Sequence, residues 1–330
     1  MQEASDRRQV LITGLALGLS ALAPSLRAQA PTWPSRPLKL VAGGLAASPT
    51  SAPAGWLAER LSEALGQAVV VENSGAAGGN LAAAQVARAT ADGHTLLMTH
   101  QGIAAINPHL FASPGYDTLR DFAAVARFGI GALLLVVPEA SPAHTVRDLL
   151  ERARAKPGAM NFGTPGNGSP PHLAAVQFMR MAGFEATHVP YKGGGAMMTA
   201  LLAGEVDWAI EGLTAALPQV KGGRLRARAV TGTRRALALP DLPTLAEAGV
   251  AGCNYIGWTG VAAPAATPPS VVDRLNREIN RIATSEDGRR WFQGIGADVG
   301  EQTPAEFAAF VQAEHTRMGE LVPAAGLRAE

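Results

Sequence analysis

The sequence predicts an α/β fold of two lobes, each a central sheet flanked by helices. Short apolar strands alternate with amphipathic helices, glycine-rich turns join them, and the alternation falls into two blocks of similar size with no low-complexity linker. The strand–helix–strand order implies parallel pairing, because consecutive parallel strands need a crossover that a helix supplies.

The first block opens with a buried strand at 38–42 and a small-residue loop at 43–53. Trp56, Leu57, Leu61 and Leu65 then form a helical stripe that Gly66 ends as a C-terminal cap. A strand at 68–71, a glycine loop at 75–80, a helix at 81–89, a turn at Asp92-Gly93 and a strand at 95–98 complete it. The second block has strands at 133–137, 160–163, 186–190, 206–210 and 227–231. Helices are expected from Thr145, from Pro170-Pro171, where proline suits the first turn, and over 196–203. A strand at 256–262 and helices at 269–283, 288–295 and 304–321 finish the chain.

Composition narrows the function. Of 330 residues, 47% are apolar and 17% charged, which suits a packed core and argues against disorder. A net charge of +1 gives no basic footprint for nucleic acid. One cysteine, Cys253, excludes an intramolecular disulfide. The seven histidines lack the close spacing of a metal site, and neither metal nor cofactor is expected. Residues 1–30 have the three parts of a secretory signal: Arg7-Arg8, an apolar run over 10–22, and Ala28-Gln29-Ala30 as a small-x-small cleavage site. The apolar run is shorter than a spanning helix needs. The paired arginines also resemble a twin-arginine export signal. An exported, periplasmic protein is therefore expected.

Four loops, 43–51, 75–80, 163–169 and 192–195, share one design of strand, glycine-rich turn and helix start. Glycine permits close backbone approach, and a helix N-terminus offers unpaired N–H groups to an anion. Catalytic patterns are missing. The glycines at 75–79 lack dinucleotide-site spacing, no phosphate-loop lysine motif occurs, and Ser169 is not in a hydrolase elbow. Ser169 reads as a helix N-cap. A crude hydrolytic set of Ser169, His172 and Glu211 is the competing reading.

Several segments resemble the Bug receptors, the periplasmic solute-binding proteins of tripartite tricarboxylate transporters. They are Trp33-Pro34-Ser35-Arg36-Pro37-Leu38, Val69-Val70-Val71-Glu72-Asn73 with the glycine loop after it, Ala91-Asp92-Gly93-His94-Thr95-Leu96-Leu97-Met98, and Ala105-Ile106-Asn107-Pro108. Further on come Gly163-Thr164-Pro165-Gly166-Asn167-Gly168-Ser169 with His172-Leu173, Val189-Pro190-Tyr191-Lys192-Gly193, and Leu239-Pro240-Asp241-Leu242-Pro243-Thr244-Leu245-Ala246-Glu247-Ala248-Gly249.

The resemblance implies a type II periplasmic-binding-protein fold with a ligand cleft between the lobes. Lobe 1 would be 31–131 plus 256–330, the last helices packing back on it, and lobe 2 would be 132–255. It implies a small carboxylate ligand, no enzyme activity, no cofactor, a monomer, and as partners membrane transporter subunits or a sensor kinase. The implied site joins backbone amides of Leu45, Ala46, Ala47 and Ser48 to the loop of Pro165, Asn167, Gly168 and Ser169, with Gly193 beside it. Ser51, His100, Gln101 and Glu211 would set selectivity. The chain departs from the family pattern here. Ala47-Ser48 stand for a usual diglycine, Ser51 for an Asp that faces ligand ammonium groups, His100 for Ser or Thr, Pro165 for Ser, and Glu211 for a shorter acid or amide. Losing that Asp argues against an amino-acid ligand.

Overall fold

A computed structural model describes residues 33–43, 52–74 and 76–327. The expected export signal at 1–30 and the first-loop positions Leu45, Ala46, Ala47, Ser48 and Ser51 lie outside the described residues. Contacts divide the chain into Met1–Ser35 and Arg36–Glu330, and among the described residues every strand and helix belongs to the second unit.

Strands β1 (Leu38–Ala42), β2 (Val69–Asn73) and β3 (Thr95–His100) pair in parallel around a central β1. Helices α1 (Ala52–Leu65) and α2 (Asn80–Ala87) make the crossovers. A π-helical turn at Gly102–Ile106 runs into the short α3 (Asn107–Leu110). Beyond β3 the sheet turns mixed, because β9 (Ile256–Pro264) pairs antiparallel with both β3 and β4 (Phe122–Pro138).

β4 is a 17-residue strand, whereas only its last part, from Leu133, was expected from the sequence. The stretch before Leu133 carries Arg127, Gly129 and Gly131, and its register with β9 shifts twice, so the alternation that marks a strand is broken there. Gly129 has a packing reason: a β-carbon there would come within 2.8 Å of the Phe292 ring.

The second sheet takes over the end of β4. It contains β5 (Asn161–Thr164), β6 (Thr187–Pro190), β7 (Trp208–Gly212) and β8 (Leu225–Val230). β5 runs parallel to β6 and β7, while β7 and β8 pair antiparallel with β4. Helices α4 (Val146–Ala155), α5 (Pro170–Ala182) and α6 (Gly194–Ala203) connect these strands. An unforeseen helix, α7 (Leu213–Lys221), follows β7 directly and contains Pro218.

Helices α8 (Pro269–Thr284), α9 (Glu286–Gly294) and α10 (Pro304–Ala324), with the two-residue β10 (Ala297–Asp298) on β4, complete the fold. α8 packs on the first sheet, and Asn276 donates to Val125 O at 2.8 Å. α10 goes further than the expected return to the first lobe. Phe307 and Val311 pack with Ala104 and Trp258, but Met318, Leu321 and Val322 enter a core that contains Phe162, Phe178 and Trp208 of the second sheet. Among the described residues no helix is long and apolar enough to cross a membrane.

Candidate functional site

β4 changes partners at a single step. Up to Ala132 it pairs with β9, and from Leu133 it pairs with β7 and β8. Thr231, fully buried, fastens that step. Its Oγ1 accepts from Leu133 N–H at 2.9 Å and donates to Tyr255 O at 2.6 Å. Backbone polar groups at a partner exchange would otherwise be left unpaired inside the protein.

A cavity of about 280 Å³ opens beside this step. Its floor is β4 from Gly129 to Leu133 and β9 from Gly257 to Thr259. His100 and Gln101 enter from the end of β3, and Glu211 to Thr214 from the end of β7 and the first turn of α7. Pro170 and Pro171 open α5 on the same wall, Phe292 closes the back, and Pro53 adjoins the first loop. Among the described residues no lysine or arginine lines it, and His100 and Glu211 are its titratable side chains.

The sequence-expected residues divide here. His100, Gln101 and Glu211 meet in the cavity. Burial pushes the His100 imidazole down to about 4, and its Nδ1 accepts from Gly102 N–H at 3.0 Å, so it is held neutral. Gln101 is buried and donates through Nε2 to Glu314 Oε2 at 2.9 Å, and its Oε1 has no partner among the described residues. Glu314 also receives Trp258 Nε1 and the guanidinium of Arg317, which reaches on to Gln177 of α5 at 3.1 Å. Glu211 is 8% exposed, so it is no surface carboxylate.

The second-loop residues form a neighbouring, internally satisfied unit. Gly193 N–H donates to Pro165 O and Tyr191 N–H to Thr164 O, which ties the two glycine loops together. Asn167 is exposed. Gly168 N–H donates to His172 Nδ1 at 3.2 Å, and Ser169 N–H to Gly166 O at 3.3 Å. Gly168 has φ +72° and faces Leu110 of α3, which a β-carbon would approach to 2.6 Å. None of Pro165, Asn167, Gly168, Ser169 and Gly193 is among the cavity's lining residues.

The hydrolytic set does not assemble as a catalytic relay. Ser169 Oγ donates to Gly166 O at 2.8 Å and accepts the backbone N–H of His172, as an N-cap does, so it does not address the imidazole. The imidazole is held under the loop by Gly168 and stacks on His188 at 3.9 Å. A nucleophile needs its base within hydrogen-bond reach.

Sequence reasoning missed the contributions of Trp258, Thr259, Phe292 and Thr214. They come from elements far apart in the chain, and only the strand order brings them together.

Residues 54–327 match the tripartite tricarboxylate transporter family receptor. Among solved structures, the chain is similar to R. palustris Rpa4515 with adipate, at 36% identity and a TM-score of 0.80, covering 90% of this chain and 99% of that one. It is similar to MatC from Rhodopseudomonas palustris with bound malate, at 30% identity and 0.76, covering 88% and 100%. It is also similar to the periplasmic binding protein BugD, at 31% identity and 0.76, covering 90% and 100%. The fold is that of these solute-binding proteins rather than of enzymes. The chain belongs to the tripartite tricarboxylate transporter receptor family.

Proposed function

We propose that this receptor captures a small organic acid in the cavity beside the β4 step and presents it to membrane transporter subunits from the periplasm. The observation that carries the reading is a molecule-sized cavity with no cationic side chain among the described residues that line it, entered by the first turn of α7. A carboxylate there is met by backbone N–H groups and a helix N-terminus, which bind anions without lysine or arginine. The relatives that hold adipate and malate support the ligand class.

In this reading residues 1–30 are the export signal. Lobe 1 is 31–131 with 256–330, lobe 2 is 132–255, and the protein works as a monomer. The amides of Leu45, Ala46, Ala47 and Ser48 face the ligand from lobe 1. The neighbouring loop of Pro165, Asn167, Gly168 and Ser169, with Gly193 beside it, serves from lobe 2, Asn167 being exposed while Gly168 and Ser169 spend their amides within the loop. Ser51, His100, Gln101 and Glu211 tune the choice of acid.

The test is a thermal-shift screen of residues 31–330, refolded to strip bound ligand. The panel holds adipate, malate, mono- and tricarboxylates, amino acids and neutral controls. A ligand at a hundredfold its dissociation constant stabilises by about 2.7 kcal/mol, a shift of several degrees. Selective stabilisation by an acid supports the reading, and a response confined to neutral compounds or amino acids overturns it.

A further inference from the structure

The cavity proposed for an anion contains a carboxyl group of its own. Glu211 ends β7 with Oε1 accepting the Gly212 N–H at 2.8 Å. Its Oε2 is buried and has no partner among the described residues. The nearest glycine of the α6 turn, Gly194, would bring a β-carbon only to 4.0 Å of that oxygen, so space remains around it.

Among the described residues, no cation lines the cavity with Glu211; Arg234 and Arg235 line an adjoining pocket that shares Leu213 and Ala297 with it, and they are paired with Asp298 and Glu247. β4 from Leu133 to Val137, β5 and α6 carry no titratable side chain. α5 brings His172, engaged with Gly168, and Arg180 near its far end. α7 brings only Lys221 in its last turn, and Lys192 before α6 is exposed. Across the cavity stands neutral His100. On α9, Glu286, Asp287, Arg289 and Arg290 are all exposed. Residues 44–51 contain no ionisable side chain. Desolvation accordingly pushes the Glu211 carboxyl up to about 7, against the Gly212 hydrogen bond that favours its charged form.

An acid anion entering this space faces two alternatives. Beside an ionised Glu211 it is repelled by a like charge with little solvent between them. Beside a protonated Glu211 it gains a short, charge-assisted O–H···O⁻ hydrogen bond. The second is the favourable state, and an anion nearby drives the carboxyl further toward protonation.

We propose that Glu211 is the residue that makes this receptor bind its acid together with a proton: in the complex Glu211 is a neutral carboxylic acid whose Oε2–H donates to a carboxylate oxygen of the ligand. The proton comes from solvent and stays on Glu211, and no other bond forms or breaks. The inference rests on the organic-acid reading above. It assigns the ligand group at Glu211 as an acceptor, which excludes an ammonium there.

Isothermal titration of the wild type and Glu211→Gln with adipate and malate tests it, from about pH 6 to about pH 8.5 in buffers of contrasting ionisation enthalpy. The expected result is uptake of one proton at the upper end and an association constant falling about tenfold per unit there. Glu211→Gln, whose amide still donates, should bind with flat pH dependence and no uptake. Acid binding that is independent of pH, or that strengthens as pH rises, overturns the proposal and leaves the receptor reading standing. If no carboxylate binds at any pH, the receptor's ligand class is wrong and the proposal falls with it. A ligand-free check is carbon-13 NMR titration of the glutamate carboxyls, assigned with Glu211→Gln. Titration of Glu211 in the ordinary range overturns the proposal whatever binds.

Discussion

Two ring clusters, one reaching the cavity through Phe292 and the other set in the core of the second sheet, are built differently. In the first, Trp56 of α1 stacks on Trp291 at 4.9 Å, and Phe128 of β4 meets Phe292 of α9 edge to face at 5.0 Å. All four rings are non-ionisable, and Arg60 covers Trp56 from outside at 4.1 Å. In the second, Trp208 of β7, Phe162 of β5 and His188 of β6 stack across three adjacent strands at 5.0 and 4.9 Å, in register partners. His172 of α5 then stacks on His188. His188 meets Thr164 Oγ1 at 2.6 Å and His172 holds Gly168, so this ladder ends in the hydrogen bonds that shape the second loop. The first cluster fixes a wall by volume. The second transmits core packing to a loop, and it does so through two groups that titrate.

Truncation should separate the two most strongly. Trp208 is fully buried and Phe292 nearly so. Trp208→Ala and Phe292→Ala should each cost about 3–5 kcal/mol in urea unfolding, from lost transfer energy and the cavity left behind. Amide exchange should differ. Protection of residues 164–169 should drop in Trp208→Ala, whose ladder has lost its base, and stay as in the wild type in Phe292→Ala. Equal exchange in both would break the distinction.

The contrast also marks what the sequence could tell. Strands such as β1, β3 and β7 are legible because buried parallel strands read as short apolar runs. Glu211 is legible as an acid closing such a run. The ladder is not, since Phe162, His188 and Trp208 lie about two dozen residues apart and become neighbours only through strand order and register. α7 is hidden by its length and by Pro218, and the stretch of β4 before Leu133 by its glycines and bulges. The loop amides are legible as a motif, but whether an amide is already spent, as at Gly168, depends on a histidine whose direction no pattern reveals.

Acid should attack the second cluster and spare the first. Burial, with a smaller push from His188, lowers His172 to about 4. The folded state therefore keeps it neutral where an unfolded histidine, near 6.5, takes a proton. Its contribution is whole above about 6.5 and is lost as pH falls toward about 4. At pH 5 the loss is on the order of 2 kcal/mol, from about 1.4 kcal/mol per unit. His100, also lowered to about 4 by burial, adds a similar share. His172→Phe keeps a ring on His188 but frees Gly168 N–H, so it should be less stable at pH 7 and lose less between pH 7 and 5. An undiminished acid loss in this variant would remove His172 from the account.

The smallest effect compares two caps. Ser285 Oγ accepts Gly288 N–H at 3.0 Å at the start of α9, which carries the first cluster's Trp291 and Phe292. Ser169 Oγ caps α5, which carries His172, and also donates to Gly166 O within the loop. Ser285→Ala and Ser169→Ala should each cost about 1 kcal/mol of stability, as N-caps do. Only Ser169→Ala removes a bond internal to the loop between β5 and α5, so affinity for an acid of the proposed class should weaken in that variant alone, by about fivefold for one hydrogen bond of about 1 kcal/mol. If both variants bound alike, the second loop would be a scaffold that leaves the ligand to α7 and Glu211.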